Sequence, residues 1–144
     1  MMREPFIPAP IPAAERARWT PDALAEARTI CERWGLALHA LVGAEAVPPG
    51  GLAEDALHRV GTLIGIDRAA VVIFGEAQGR AWMHRPNAGL AFASRSPAEI
   101  MERDGMAGLL AVRAVLDGWR VGIFAPPPAD APAGPALRFR IAPS

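Results

Sequence analysis

The sequence contains no lysine: all 15 of its basic residues are arginine. It has a single cysteine, Cys31, which excludes an intrachain disulfide and fits a reducing compartment. Aromatic residues make up only 6 % of the chain against 51 % apolar residues in all, so the core has to be built from Ala, Leu, Val and Ile, a composition that favours helices. Net charge is also missing, because the formal sum is zero. A neutral chain lacks the global field of a strong nucleic-acid binder, which leaves only a local patch for such a role. No apolar run approaches the roughly 20 residues of a membrane span, and the N-terminus has no continuous apolar h-region. We therefore expect no membrane partner and a cytoplasmic location. A length of 144 residues predicts one core.

Proline and glycine punctuate what is present. Pro5, Pro8, Pro10 and Pro12 forbid regular helix near the start, so residues 1–18 are expected to form an extended Pro-rich arm. Thr20-Pro21-Asp22 has the order of a capping residue, a first-turn proline and a dipole-compatible acid, and predicts the start of the first helix. Leu24, Ala27, Cys31 and Trp34 then share one face and Gly35 closes it. Cys31 belongs to that stripe and reads as a core residue rather than a nucleophile. A short helix over 36–42 follows, and Val47-Pro48-Pro49-Gly50-Gly51 is the strongest break in the chain.

Beyond the break, a helix over 52–64 is expected to end at Gly65, with Leu52, Ala56, Val60 and Leu63 on one side. Asp67 is placed to cap a separate helix ending at Gly75. Val71-Val72-Ile73-Phe74 in isolation has strand composition. Its flanking cap and glycine, with no second strand signal in pairing reach, make it a buried helix instead. A further helix over 76–83 leads to Trp82.

The densest signals lie between Trp82 and Trp119. Arg85-Pro86-Asn87 stops a helix. Ser96-Pro97-Ala98-Glu99 starts another, with Ser96 as cap, Pro97 at the first helical position and Glu99 placed to reach back to the Ser96 N–H. Asp104-Gly105 ends it, and from Met106 onward Leu109, Val112, Leu116 and Trp119 mark the buried face of a final helix. After Trp119 a short extended piece is expected at Val121, Ile123 and Phe124. Residues 125–135 then form a proline-rich linker. In Leu137-Arg138-Phe139-Arg140-Ile141 apolar and basic residues alternate. That pattern suits an extended peptide laid in a partner's groove, and equally an edge strand on its own domain or a loose terminus.

Catalytic chemistry is not assembled. His39, His58 and His84 fall on different elements without Cys, Asp or Glu at ligand spacing. There is no phosphate-binding glycine loop, and Glu99, Glu102 and Asp104 sit where capping and solvation account for them. We expect no enzyme activity, no metal and no cofactor.

Trp82, Pro86, Asn87, Leu90, Arg95, Ser96, Pro97, Glu99, Met101, Gly105, Val112, Arg113, Leu116 and Asp117 together resemble, in order, the toxin-binding domain of the Xre/MbcA/ParS antitoxins. Weaker similarity runs back to about Trp34. Relatives often have Gly before Arg-Ser-Pro, where this chain has Ser94. The resemblance implies an all-α domain and an antitoxin role. The implied partner is a RES-type, ADP-ribosyltransferase-like toxin that consumes or transfers from NAD and is held inactive by direct contact. It also implies a homodimer, for which Val71, Ile73 and Phe74 offer surplus apolar surface. On this reading 19–65 is a helical part resembling a degenerate helix-turn-helix, 66–124 the toxin-binding part and 125–144 the linker and tail.

The toxin contact would be made by Leu137, Phe139 and Ile141 as anchors, by Arg138 and Arg140 as paired cations, and by Trp119 and Arg120 as its root, with Arg95 and Arg113 on the helical surface. DNA binding, as an autoregulator of its own operon, is the rival reading. Between Gly35 and Arg59, however, the only basic side chains are His39 and His58, whereas a recognition helix presents Arg, Lys, Gln or Asn to bases and phosphates.

Overall fold

In the computed structural model, which describes residues 10–87 and 92–120, the chain forms six helices and, among the described residues, no strand. They are α1 (Ala13–Trp34), α2 (Leu38–Val42), α3 (Glu54–Phe74), α4 (Glu76–Met83), α5 (Pro97–Asp104) and α6 (Met106–Arg120). The all-α expectation is met. α3 is the central element, packing on α1, α2, α4 and α6, and α5 and α6 form a hairpin joined at Gly105.

α1 begins at Ala13, so the last six residues of the expected arm are helical and Pro21 lies inside the helix rather than at its start. An interior proline costs about 3 kcal/mol, and here long-range contacts offset that cost. Thr20 is fully buried. Its hydroxyl donates to the Arg16 carbonyl at 2.6 Å and accepts from the Leu52 N–H at 2.8 Å. Arg16 donates to the Leu52 carbonyl at 3.2 Å, and the Ile11 N–H donates to Glu54 at 2.9 Å. The 50–51 turn presses on the same helical turn, where a Cβ on Gly51 would stand 2.7 Å from the Ala17 Cα. The Thr20-Pro21 start signal is thus overridden by contacts with residues more than thirty positions away.

The other end of α1 forms as expected. Gly35 takes φ 70, and the Leu36 N–H returns to the Cys31 carbonyl at 2.8 Å, the reverse turn that satisfies the last carbonyls of a helix. Leu24, Ala27, Cys31 and Trp34 are all buried. α2 is shorter than expected, beginning at Leu38.

The expected break at Gly65 does not occur: α3 runs unbroken through it to Phe74. Gly65 serves packing, because a Cβ there would lie 2.7 Å from the Arg113 guanidinium carbon of α6. Asp67 is not a cap either. Its carboxylate accepts from Arg33 at 2.5 Å and from the Trp34 indole N–H at 2.8 Å, fixing the end of α1 to the middle of α3. Val71 to Phe74 are helical as expected, but not buried as expected. Val71 and Val72 are 44 % and 70 % exposed, and Ile73 and Phe74 are half-buried.

α4, α5 and α6 have the expected bounds. The hairpin is tight enough that a side chain on Gly108 of α6 would overlap the Ile100 carbonyl of α5. Gly108→Ala gains about 1 kcal/mol of helix propensity but must push two backbones apart. We predict a net loss of stability, read as a lower denaturant midpoint. A higher midpoint would mean that the hairpin has room to open.

Candidate partner-binding surface

Four aromatic rings from four parts of the chain meet under this surface. Trp82 of α4 stacks on Phe74 of α3, with centroids 5.2 Å apart. It meets Trp119 of α6 edge-on at 5.4 Å and Phe92 of the α4–α5 loop at 6.0 Å. Phe74 and Trp119 also meet edge-on at 6.0 Å. Trp82 is fully buried, as are Leu109, Val112 and Leu116 beside it. Its indole N–H has no hydrogen-bond partner among the described residues, so the ring contributes area and shape rather than a polar bond.

The loop over this cluster is pinned by Asn87, which is fully buried. Its backbone N–H donates to the Arg95 carbonyl at 3.1 Å, and its side-chain amide donates to the Arg85 carbonyl at 3.1 Å. Ala93 and Ser94 take φ 50 and 67, the left-handed region that glycine favours. Ser94 thus holds a backbone that glycine would take without strain. Ser96 caps α5, accepting from the Glu99 N–H at 3.1 Å. Glu99 does not complete the reciprocal pair with Ser96, because its carboxylate faces Arg95 at 3.5 Å.

The expected contact residues divide. Arg95 pairs with Glu99, while Arg113 pairs with Asp117 at 3.5 Å and lies across Gly65; both arginines are half-exposed and keep surface for a partner. Arg120 is exposed at the last position of α6. Trp119 is only 5 % exposed. Its ring belongs to the core, so it roots the last turn of α6 instead of presenting itself. Leu137, Arg138, Phe139, Arg140 and Ile141 lie outside the described residues, as do Leu90, Val121, Ile123 and Phe124. Leu110, half-exposed on α6 next to the buried Leu109, is a candidate contact that sequence reasoning missed. It falls out of phase with the buried face at 109, 112, 116 and 119, and that phase was the available signal.

The histidines and Cys31 have structural places. The His84 Nε2 lies 2.7 Å from the Trp34 carbonyl and must be the donor there, and Arg80 donates to the Glu32 and Arg33 carbonyls at 3.0 and 2.8 Å. Two side chains of the α4 region thus satisfy the C-terminus of α1, where the helix dipole favours positive charge. Burial, with the nearby Glu102 and Glu32 charges, pushes the Cys31 thiol up to about 11. It stays protonated at neutral pH and is a poor nucleophile. α2 has five residues, and its only basic side chain is His39, a poor recognition helix for DNA. No described helix is long and apolar enough to cross a membrane.

Residues 69–122 match the family model of the antitoxin Xre/MbcA/ParS C-terminal toxin-binding domain. That segment contains the aromatic cluster, the pinned loop and the α5–α6 hairpin. No curated protein and no solved structure matches the chain.

Two substitutions test this local account. Trp82→Ala is expected to cost roughly 3 to 5 kcal/mol of stability. An unchanged melting temperature would place its ring at the surface. Ser94→Gly should stabilise by about 1 kcal/mol, by relieving the left-handed backbone. A lower denaturant midpoint for that variant would show that the serine side chain holds the loop.

Proposed function

We propose, on the premise that residues 69–122 carry the Xre/MbcA/ParS toxin-binding domain and the antitoxin role that goes with it, that the chain neutralises a RES-type toxin by closing its cleft with the C-terminal tail. The toxin on this reading is ADP-ribosyltransferase-like and consumes NAD. The antitoxin needs no cofactor of its own, acts in the cytoplasm and forms a homodimer within a hetero-oligomer.

The observation that supports the tail as the inhibitory element is the burial of Trp119. Because its ring is held by Phe74 and Trp82, Arg120, the last described residue of α6, stands at a fixed point from which a tail could reach a partner. The prolines between Ala125 and Pro135 favour an extended spacer, at about 3.1 Å per residue, so the last residues can be carried to a partner at limited entropic cost. Leu137, Phe139 and Ile141 would fill apolar pockets of the cleft. Arg138 and Arg140 would meet acidic or carbonyl groups with planar, bidentate geometry. Arg95, Leu110 and Arg113 supply the helical side of the contact.

Deletion after Asp130 is expected to leave the melting temperature unchanged and to weaken toxin binding at least ~100-fold, equivalent to about 2.7 kcal/mol. Calorimetry on the purified pair, alongside growth of cells expressing the toxin, reads both. Unchanged affinity and full protection would move the inhibitory contact to the surface around Arg95 and Arg113.

A further inference from the structure

We propose that the groove between α1 and α2 is the docking site of this chain's own residues 137–141, which occupy it until a partner draws them out. The partner's part in this rests on the reading above, in which the same residues close the toxin's cleft; the docking itself does not. Arg28, Cys31, Glu32, Leu36, Leu38 and Glu45 line the groove, which has a volume of about 570 Å³. That lies within the roughly 300 to 1,000 Å³ of clefts that hold small ligands, enough for one aromatic side chain and its neighbours. Its apolar lining is the buried Cys31 and Leu36 and the half-buried Leu38.

The charges identify the occupant. Glu32 and Glu45 are exposed, and among the described residues neither carboxylate is in an ion pair or a hydrogen bond. The Arg28 guanidinium donates to the Glu45 carbonyl, so one cation stands against two carboxylates. Glu102 of α5 is close enough for its charge to act on the Cys31 thiol as well. Two other grooves among the described residues are balanced instead. One sets Arg33 and Arg68 against Asp67 and Glu76, and the other pairs Arg59 with Asp55. The α1–α2 groove therefore suits an apolar occupant with positive charge beside it. Leu137-Arg138-Phe139-Arg140-Ile141 has that chemistry, and no acidic residue follows Asp130. At the other end of the chain Arg3 is offset by Glu4, so residues 1–9 bring no net side-chain charge. In an extended peptide alternate side chains point to opposite sides. Phe139 then enters the groove, and Arg138 and Arg140 bend over its rim to Glu32 and Glu45, as long arginine stems allow. Leu137 lies 17 residues beyond Arg120, about 50 Å of extended spacer. A body of this size has a radius of gyration of about 13 Å, so the groove is within reach. Such a tether gives an effective concentration in the millimolar range, and a contact of only millimolar intrinsic affinity is then populated.

Amide NMR on the full chain tests this, with thermal melts to confirm that every variant is folded. Phe139→Ser, and separately Arg138→Glu with Arg140→Glu, should shift the amide signals of Cys31, Glu32, Leu38 and Glu45 and leave those of Val71 and Val72 in place. A synthetic peptide of residues 136–144, added to the Phe139→Ser chain, should return the groove signals to their wild-type positions with millimolar affinity. It should bind at least ~tenfold more weakly when Glu32→Arg and Glu45→Arg are also present. The heteronuclear NOE of residues 137–141 should fall when either charge pair is reversed and recover when both are reversed together. Unchanged groove signals in the tail variants, shifts at Val71 and Val72 instead, or no recovery in the double reversal would each overturn the proposal. So would groove shifts that grow with protein concentration, because they would put the tail of a second copy there. If docking is as expected and Phe139→Ser still binds the toxin with wild-type affinity, the toxin reading fails and the docking stands.

Discussion

Trp82 has to be enclosed, and the second half of the molecule is the enclosure. Its ring is too large for one helix to cover, so the end of α3 supplies Phe74, the loop after α4 supplies Phe92 and the last turn of α6 supplies Trp119. Aromatic pairs of this kind contribute about 0.5 to 1.5 kcal/mol each beyond the area they bury. In a chain with only 6 % aromatic residues, gathering four of them at one point concentrates stability there. The same packing fixes the last turn of α6, so the position of Arg120 is a consequence of the core.

The first half of the chain is coupled to that core through the end of α1. Asp67 binds Arg33 and Trp34, and Arg80 and His84 bind the last carbonyls of α1. The Trp34 ring lies so close to α4 that a Cβ on Gly79 would stand 2.6 Å from it. The end of α1 thus uses the Arg33 side chain, the Trp34 indole and its last carbonyls to hold α3 and α4.

Local signals made much of this legible. The Ser96-Pro97 start, the Gly35 stop, the bounds of α4 and the buried face of α6 each follow from a few adjacent residues, and the structure has them as expected. The misreadings share one cause, which is contact between residues distant in sequence. Pro21 reads as a helix start until Leu52 is seen to satisfy Thr20. Gly65 reads as a helix stop until Arg113 is seen to cross it. Asp67 reads as a cap until Arg33 and Trp34 are seen to claim it. The surface was harder to read than the core. Periodicity found Trp119 but could not tell an aromatic anchor from an aromatic contact, and it treated Val72 as buried because α3 was read as two helices instead of one.

On the function proposed above, the aromatic-rooted helical body presents a short apolar and basic tail to a toxin, and inhibition is stoichiometric occupation of the toxin's NAD cleft. The most direct measurement is the rate of NAD loss catalysed by the purified toxin as the full chain is titrated in, repeated at several NAD concentrations. Activity is expected to fall to zero near equimolar antitoxin, and raising NAD should slow the onset of inhibition, as competition for one cleft requires. Full NAD turnover by a toxin saturated with antitoxin would contradict it.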